Sequence, residues 1–522
     1  MQKILTSPPE KVAPLAGERN TDMAEVLRLM ASRAQQRPAD PAYIMAADGR
    51  NLTWRALAHY AGGMRKQARE RSLPPRARIG IVADDPLAFA AVYLGALASG
   101  LTAVPIDPRL TPAELCSTAD RLRVDVLVAD RPADRPGLSD AELWDAGTDH
   151  PLLVRAAAST ARPSSGAATR PAVLLTSSGT TGRPKGIGLS EWQLVHAARR
   201  VARHHRFGPA ERGYNPLPLF HVNAQVMGLL ATLVSGASLV LDGRFERGAY
   251  WDRVARWSPT WLNTVPAVLA ALATQPPPAE SVAARIRFAR SASAPLPAAT
   301  QRAFTAATGV PVLQTYGMTE AAGQITANPL EAAARREGSV GVPVGVGLAV
   351  LGADGRPVGP GELGMVALRG RQVTTCYLDA GDDGSEHRRP ARDEAGWLPT
   401  GDLGTRDHDG FLYLAGRADD VINRGGEKVF PQEVEDVLLG HPAVRSAAVV
   451  ATPHERLGQV PVALVTVAPE QAGGDLIAAL HGLCAERLAR YKRPAGIEIA
   501  AALPTGPTGK VLRRRVREEL LA

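Results

Sequence analysis

Cysteine is scarce in this chain of 522 residues. Only Cys116, Cys376 and Cys484 are present, and they lie far apart in the sequence. Disulfide frameworks and structural zinc sites need several cysteines at close spacing, so neither is expected here. A metal ion, if the protein uses one, should therefore be held by oxygen ligands.

An apolar secretory signal is also missing from the first residues. They read MQKILTSPPEKVAPLAGERN, in which charged residues and prolines interrupt every apolar run. A secretory signal needs an unbroken apolar core of about 7–15 residues. We therefore expect the chain to stay in the cytoplasm.

Only two apolar runs are long enough to raise the question of a membrane span. Leu87 to Ile106 has about the length of a bilayer-spanning helix, but Ser99-Gly100 interrupts it before a short strand-like end. The same pattern, an apolar run interrupted by Ser-Gly before a short strand-like end, recurs in Met227 to Leu241. We predict two buried units, each made of a helix, a glycine and a strand, and no membrane span.

Positive charge exceeds negative charge, with a formal net charge of +8. The arginines are scattered and form no dense basic run with interleaved aromatic residues, so nucleic acid is not expected as a partner. The excess suits anionic substrates. Lysine is rare beside arginine, and Lys185, Lys428 and Lys510 stand in the motifs described below. A lysine kept against this bias is a candidate for contact with phosphate or carboxylate groups.

The chain is too long for one hydrophobic core, so more than one domain is expected. Strand-like apolar runs such as Ile79 to Val82 and Ala172 to Thr176 alternate with helical stretches from about Val26 to Arg417. This order predicts layered α/β architecture with largely parallel sheets. Short runs separated by Gly, Pro and Asp predict a small β-rich subdomain between Gly338 and Tyr413.

A compact α/β unit of about a hundred residues follows, which is a common size for a separate domain. We predict a large N-terminal domain over residues 1–417 and a smaller, mobile C-terminal lid over residues 418–522. The lid is predicted to contain helices near Pro431 to Leu439 and Leu476 to Leu488 and strands near Arg445 to Ala451 and Val460 to Val467.

The strongest motif is Leu174 to Gly186, LLTSSGTTGRPKG, in which a short strand runs directly into a loop of small hydroxyl residues and glycines. Small residues let backbone amides approach phosphate oxygens, hydroxyls add hydrogen bonds, and Lys185 adds positive charge. A plain surface loop is the alternative, but the preceding strand and the isolated lysine favour a cradle for phosphates. The candidate nucleotide-binding residues are Thr176, Ser177, Ser178, Gly179, Thr180, Thr181, Gly182 and Lys185.

Four further segments follow in order: QTYGMTE (314–320), TGDLG (400–404), GRADDVINRGGEKVFPQEVE (416–435) and PTGPTGK (504–510). Together with the first loop they resemble the signature set of the adenylate-forming superfamily, which includes acyl- and aryl-CoA synthetases, luciferases and the adenylation domains of peptide synthetases. The resemblance implies that ATP and a carboxylic acid form an acyl-adenylate with release of pyrophosphate. It further implies that coenzyme A then takes the acyl group and AMP leaves.

The resemblance gives the QTYGMTE segment a place around the nucleotide. The ring of Tyr316 would stack on adenine, and the hydroxyl of Thr319 would reach the α-phosphate. Glu320 would hold Mg²⁺, which prefers hard oxygen ligands. Gly317 and Met318 complete this part of the expected nucleotide site.

The remaining motifs supply the ribose contact and the catalytic lysine. Asp402 would accept both ribose hydroxyls, and Arg417 would bind the nucleotide. Lys510 would bridge the substrate carboxylate and the α-phosphate as charge moves in the transition state. No general base is required, because a carboxylic acid is already ionised near neutral pH.

Two segments resemble the walls of the acyl pocket. NPLPLFHVNAQ (215–225) places His221 at an aromatic gate between the nucleotide and thiol channels, although a structural histidine is the alternative. SASAPL (291–296) resembles the wall of the adenine and carboxylate site, with serine where glycine is common. The expected acyl-pocket residues are His221, Val222, Gln225, Ser291 and Gly317, and the expected adenine wall is Ser293, Ala294 and Pro295.

The acid itself is constrained weakly by the sequence. Relatives that activate amino acids place an Asp near the position of Phe220 and His221, and none stands here, so an acid without an α-amino group is expected. Few aromatic residues and many Ala and Val predict a roomy apolar pocket. Fatty acids, aryl acids and bulky terpenoid or polyketide acids of specialised metabolism are all candidates.

The acceptor is indicated by the glycines after Arg424. Gly425 and Gly426 resemble the loop that CoA ligases bring against pantetheine, and Asp419 falls at the hinge position of the family. Arg424 stands where serine is frequent, so the details of the acceptor stay open. A stand-alone enzyme that loads a carrier protein and a non-enzymatic nucleotide-binding relative are the alternatives, and the intact motif residues argue against the latter.

Overall fold

The computed structural model describes residues 24–130, 142–144, 152–156, 171–177, 185–380, 386–468, 474–506 and 510–521. Within these ranges the chain forms four β-sheets together with α-helices, a π-helix and short 3-10 helices. The mixed α/β class that the sequence predicts is confirmed.

Sheet 1 is the first of two large sheets. Its central strands pair in parallel, and its edge strands pair antiparallel. The central strands are buried along most of their length, which explains their continuous apolar character. In the described part of the chain its members are β1 (Pro41–Met45), β2 (Asn51–Thr53), β10 (Arg212–Asn215), β11 (Ser238–Leu241), β12 (Trp261–Thr264), β13 (Phe288–Ser291), β14 (Val312–Met318), β15 (Gly323–Ala327) and β16 (Val342–Pro343).

Sheet 2 has the same plan, with parallel central strands and antiparallel edges. Across the described residues its members are β3 (Arg78–Val82), β4 (Thr102–Pro105), β5 (Val126–Ala129), β6 (Glu142–Trp144), β7 (Leu152–Ala156), β8 (Val173–Ser177), β9 (Lys185–Leu189), β19 (Cys376–Ala380) and β20 (Glu386–Pro390). β19 and β20 come from the stretch predicted as a separate β-rich subdomain. β19 pairs with β9, and β20 pairs with β19, so that prediction holds only for part of the stretch.

Sheet 3 is the small β-rich subdomain, and its strands are antiparallel. Its described strands are β17 (Gly347–Leu351), β18 (Gly364–Arg369), β21 (Leu398–Arg406) and β22 (Leu412–Arg417). Sheet 4 belongs to the C-terminal part of the chain. Its described strands are β23 (Ile422–Arg424), β24 (Glu427–Val429), β25 (Val444–His454), β26 (Gly458–Val467) and β27 (Gly496–Ile499).

Helices connect the parallel strands and pack into the main hydrophobic core with sheets 1 and 2. The described helices are α1 (Glu25–Gln36), α2 (Trp54–Glu70), α3 (Pro86–Ala98), α4 (Pro112–Arg121), α5 (Glu191–His205), α6 (Ala231–Ser235), α7 (Tyr250–Trp257), α8 (Pro266–Ala273), α9 (Glu280–Ala283), α10 (Ala298–Thr308), α11 (Pro431–Leu438), α12 (Gly474–Arg487) and α13 (Arg513–Leu521). α11 and α12 pack on sheet 4 around a second core.

The first apolar run forms helix α3 followed by strand β4, as the sequence predicts. Asp85 caps α3 by accepting hydrogen bonds from two backbone amides, and all but one of its 13 residues are buried. At about 1.5 Å per residue the helix covers roughly 20 Å, short of the ~30 Å of a bilayer core. None of the helices in the described ranges combines the length and the hydropathy of a membrane span.

The second apolar run differs from the prediction in one detail. A π-helix, Ala224–Leu230, precedes α6, and Gly236 then takes a φ of +73° before β11. A π-helix adds a residue to the turn and is frequent at functional sites. The segment predicted to carry the acyl gate leads directly into it.

Candidate active site

Three predicted nucleotide-binding residues meet beside the carboxyl end of β14. The Tyr316 hydroxyl donates a hydrogen bond to Oδ2 of Asp402. Nη1 of Arg417 donates to Oδ1 of Asp402 at 3.2 Å and to the Thr400 carbonyl at 2.8 Å. Asp402 and Arg417 are cross-strand partners in sheet 3, so the antiparallel register brings the two charges together. Burial beside Asp402 raises the pKa of Tyr316 well above its usual value, which keeps its hydroxyl protonated.

Glu320 lies next to this cluster in the 3-10 helix Thr319–Ala321. The Tyr377 hydroxyl approaches its Oε1 at 3.4 Å, and Nζ of Lys185 lies 5.2 Å from the centroid of the Tyr377 ring. Burial raises the pKa of the Glu320 carboxyl, and the Tyr377 hydrogen bond and the Arg417 and Lys185 cations partly offset the rise. A cation at Glu320 would relieve the same cost, because a buried carboxylate is stabilised by opposite charge.

Tyr377 was not identified from the sequence. It stands alone as an aromatic residue in β19 and reaches the site because β19 pairs with β9, where it is the partner of Ile187. Burial, and then the nearby Glu320 carboxylate, raise its pKa to about 12. No local pattern announces such a residue, since the contact depends on a strand pairing far apart in sequence.

Gly317 owes its identity to a close backbone contact. β14 and β15 pair with an irregularity between Tyr316 and Gly317. A Cβ at Gly317 would lie 2.2 Å from the Gly323 carbonyl oxygen, so only glycine fits without a shift. Thr319 and Met318, which follow it, are half-buried at the same corner.

The first motif is described only at its two ends. Thr176 is exposed near the end of β8, Ser177 is the last residue of that strand, and Lys185 is the first residue of β9. β8 and β9 are antiparallel neighbours. Their pairing places Lys185 opposite Ser177, the last residue of β8. The predicted residues outside the described ranges are Ser178, Gly179, Thr180, Thr181 and Gly182.

His221 is half-buried beside Phe220. Its ring lies 4.4 Å from the Phe220 ring, and Nε2 is buried without a hydrogen-bond partner among the described residues. Burial lowers its pKa to about 4, although Asp107 nearby acts in the opposite direction. His221 is therefore neutral near pH 7. Asp107 and its partner Arg109 were missed, although a polar residue just after a buried parallel strand is a usable signal.

The residues next to His221 in the predicted acyl pocket include polar side chains that an apolar pocket would not contain. Gln225 is fully buried in the π-helix, and its Nε2 donates to the Leu219 carbonyl at 3.0 Å. Oε1 of Gln225 and Oγ of Ser291 are buried without partners among the described residues. Val222 is half-buried and packs on the main core.

The loop after β13 contains the serine that replaces a common glycine. Ser293 has a φ of +74°, in the left-handed region that favours glycine, so the substitution is made at some conformational cost. Its Oγ accepts a hydrogen bond from Nδ2 of Asn223 at 3.2 Å. Ala294 is half-buried and Pro295 is exposed in the same loop.

The glycine pair of the C-terminal part forms a tight turn. Gly425 and Gly426 have φ values of +61° and +97° and connect β23 to β24 as a two-residue hairpin. Such turns need positive φ at both positions, so the fold itself requires these glycines. Arg424 donates to the carbonyls of Tyr491 and Arg493 at 2.9 and 3.0 Å, which ties the hairpin to the rest of the lid.

Lys510 is not gathered into the cluster around Asp402. Its side chain is exposed, and within the described ranges it makes no ion pair with Glu320 or Asp402. Its carbonyl accepts from the Gly506 amide at 2.8 Å. Asp419 is exposed in the 3-10 helix Ala418–Asp420, between the end of β22 in sheet 3 and the start of β23 in sheet 4.

The sequence as a whole matches one known family. Residues 30–378 match the AMP-binding enzyme family, and residues 433–510 match the AMP-binding enzyme C-terminal domain. The first match alone covers more than half of the chain.

Individual relatives are similar over nearly the full length. The chain is 38% identical to a sulfoacetate–CoA ligase of Cupriavidus necator over 503 residues, 94% of this chain and 96% of that protein. It is 31% identical to an oxalate–CoA ligase of Arabidopsis thaliana, over 87% of this chain and 90% of that protein. The crystal structure of the anthranilate CoA ligase AuaEII with anthranoyl-AMP superposes with a TM-score of 0.80 at 26% identity, over 95% of this chain and 97% of that one.

Proposed function

We infer the reaction from the premise that this chain belongs to the AMP-binding enzyme family. It is an ATP-dependent acid–thiol ligase that converts a carboxylic acid to an acyl-adenylate and then transfers the acyl group to coenzyme A. The observation that carries this function is the meeting of Tyr316, Asp402 and Arg417 beside Glu320. These groups suit a ribose, an adenine and a chain of phosphates, and they belong to segments far apart in sequence.

Asp402 is the proposed ribose ligand. Each of its oxygens already accepts one hydrogen bond, from Tyr316 or from Arg417. A carboxylate oxygen has a second lone pair, so each can also accept from a ribose hydroxyl. The two protein donors hold the carboxylate in place before the nucleotide arrives, which reduces the ordering cost of binding.

The first half-reaction needs little proton chemistry. A carboxylate oxygen of the acid attacks the α-phosphorus of ATP, the bond from that phosphorus to the β-phosphate breaks, and pyrophosphate leaves. Thr319 and Lys185 are the proposed contacts to phosphate oxygens, and Lys510 is the proposed cation that stabilises the charge at the α-phosphate. We propose that the lid turns towards the nucleotide to bring Lys510 into this role.

Glu320 is the residue that would hold Mg²⁺. Magnesium is commonly bound by one or two carboxylates together with phosphates and water, which fits a single buried carboxylate with a raised pKa. When bound, the ion would neutralise charge on the phosphate oxygens. Thr319, beside Glu320, leaves a hydroxyl to donate to the same phosphates.

The second half-reaction is the attack of the coenzyme A thiol on the acyl carbonyl, after which AMP leaves. We propose that the exposed hairpin turn at Gly425 and Gly426 lines the thiol channel and that neutral His221 gates it. The domain boundary proposed between residues 417 and 418 lets both events use one lid. We place the reaction in the cytoplasm, where both cosubstrates are available.

The acid does not follow from the relatives' names alone. Sulfoacetate, oxalate and anthranilate differ widely, and a carrier-protein thiol is chemically equivalent to that of coenzyme A. The test is a panel of acids incubated with ATP, with and without coenzyme A, and analysed by mass spectrometry. Acyl-adenylate should form without coenzyme A, and acyl-CoA with AMP should form with it. Acyl-adenylate that persists in the presence of coenzyme A would argue for a carrier-protein acceptor.

A further inference from the structure

Arg290 is a buried cation without a buried anion. It lies on β13, has 3% of its surface exposed, and is held by neutral amides. Nη1 donates to Oδ1 of Asn223 at 2.7 Å and to Oδ1 of Asn263 at 3.0 Å, and Nε approaches Oε1 of Gln324 at 3.4 Å. No Asp or Glu of the described residues pairs with it, whereas many other arginines of the chain have such a partner.

A desolvated guanidinium without a counter-ion is costly to keep. Buried charges in proteins are normally paired, and amide oxygens satisfy hydrogen bonds without cancelling the charge. Burial accordingly lowers the pKa of Arg290 to about 9. An apolar residue would suit a structural position between two sheet strands better, so the charge itself needs an explanation.

The partners of Arg290 come from the segments that surround the acyl group. Asn223 lies two residues after His221, and its Nδ2 donates to Oγ of Ser293 in the loop after β13. Gln324 is the cross-strand partner of Gly317. Arg290 therefore lies one hydrogen bond beneath the half-buried Asn223, within reach of the predicted pocket.

Two N–H groups at or beside the guanidinium have no hydrogen-bond acceptor among the described residues. Nε2 of Gln324 is buried without a hydrogen-bond partner among the described residues, and it shares its amide group with the oxygen that Arg290 contacts. Nη2 of Arg290 likewise donates no hydrogen bond to any of the described residues. Free N–H groups on a guanidinium and on the amide that it contacts suit an oxyanion, which offers only acceptors.

We propose that Arg290 binds a second anionic group of the acid substrate, a carboxylate or a sulfonate at the end remote from the reacting carboxylate. The inference rests on the acid–thiol ligase function and adds a substrate class to it. It replaces the expectation of a roomy apolar pocket, because a buried cation disfavours fatty and terpenoid acids. The bound anion supplies the missing counter-ion, and Gln324 adds a second donor.

The test compares charged acids with their neutral-ended counterparts. The charged arms are the dicarboxylates from oxalate to adipate, sulfoacetate and 3-sulfopropanoate, and the counterparts are the monomethyl esters and alkanoates of equal length. Pyrophosphate release gives kcat/KM for each acid. We expect at least one charged acid to exceed its counterpart by about a hundredfold, as is typical for a buried charge pair. The dicarboxylate and sulfonate arms distinguish the two anions.

Arg290→Met should remove this preference, lowering kcat/KM about a hundredfold for charged acids with little change for neutral ones. Arg290→Lys should recover part of it, and Arg285→Met is the control, since Arg285 is exposed just before β13. Equal use of neutral and charged acids by the wild-type protein overturns the inference, whether or not Arg290→Met folds, and leaves the ligase function standing. Pyrophosphate release with none of these acids overturns the inference, and the ligase function falls only if the wider acid panel also gives none.

Discussion

Lys510 illustrates how one exposed side chain can be decisive for one half-reaction. In the proposed mechanism its ammonium acts while charge develops at the α-phosphate during adenylation, whereas the thiol later attacks the acyl carbon. An exposed lysine in a lid contributes little to the core, so its removal should not unfold the protein. The two half-reactions can therefore be separated by substitution.

We predict that Lys510→Ala lowers acyl-adenylate formation from acid and ATP by a hundredfold or more, about 3 kcal/mol of transition-state stabilisation. Thioester formation from supplied acyl-adenylate should be retained. Both rates are measured by mass spectrometry, with Lys66→Ala as the control, since Lys66 is exposed on α2. Equal losses in both assays would contradict the role given to Lys510.

A second residue-scale prediction concerns acid stability. His205 is fully buried, its Nδ1 lies 3.0 Å from the Val201 carbonyl, and burial lowers its pKa well below 6.5. Below pH 6.5 the unfolded chain therefore binds a proton that the folded chain excludes, and stability falls as pH falls, by up to about 1.4 kcal/mol per pH unit. His205→Leu should flatten the decline of the melting temperature between pH 6.5 and 5.

The control for this measurement is His59→Leu, because His59 is exposed on α2. It should leave the dependence of the melting temperature on pH unchanged. A His205→Leu protein with the same pH dependence as the wild type would show that other groups control acid unfolding.

Residues in contiguous motifs could be predicted from the sequence to come together in space. Tyr316, Asp402 and Arg417 stand in such motifs, and the structure brings them into contact. Tyr377 and Arg290 were missed for a physical reason. Each stands in an ordinary strand, and its importance arises from strand pairing or from burial without a counter-ion, neither of which is local in sequence.

At the scale of elements, the β14–β15 pair shapes the corner that we propose to hold the nucleotide. The pairing is irregular between Tyr316 and Gly317, and the close approach of the Gly323 carbonyl leaves no room for a side chain at Gly317. Forcing one in would separate the strands or shift the corner. Either change would displace Thr319 and Glu320, which follow Gly317 in the chain.

We predict that Gly317→Ala destabilises the protein by about 1–3 kcal/mol, the usual range for overpacking, and reduces acyl-adenylate formation further than this loss explains. The measurements are the melting temperature and pyrophosphate release. Gly208→Ala is the matched control, since no atom lies within 4 Å of its added Cβ. A Gly317→Ala protein with wild-type activity would show that the site does not depend on glycine at this position.

Elements followed from the sequence where their pattern is local. The helix and strand of Leu87 to Ile106 were predicted because glycine separates two apolar runs. The assignment of β19 and β20 to sheet 2 could not be predicted, because the sequence of a short strand bounded by Gly and Asp does not indicate which strand it pairs with. The β23–β24 hairpin was missed as an element, although Gly425-Gly426 is a strong turn signal.

At the scale of the molecule, the C-terminal part contains two different features that we propose to act at one site. Lys510 lies in the loop before α13, and the Gly425-Gly426 turn joins β23 to β24. Arg513, just after the lysine loop, pairs with Glu435 on α11 at 2.6 Å and with Asp420 at 3.3 Å, so these elements are held together. If the lid moves as one body, both features cannot occupy the site together, and it must turn between the half-reactions.

Asp419 is the proposed pivot of this rotation, because it stands between sheets 3 and 4 and its backbone dihedrals must absorb the change. Proline at this position fixes φ and removes an amide donor. We predict that Asp419→Pro still forms and retains acyl-adenylate but transfers it slowly to coenzyme A, as measured by single-turnover mass spectrometry. Asp419→Ala, which removes the same carboxylate and keeps φ free, is the matched control and should transfer at nearly the normal rate. Unchanged thioester turnover in a folded Asp419→Pro protein would exclude rotation about this residue, whereas slow transfer in both variants would point to the carboxylate and not to the hinge.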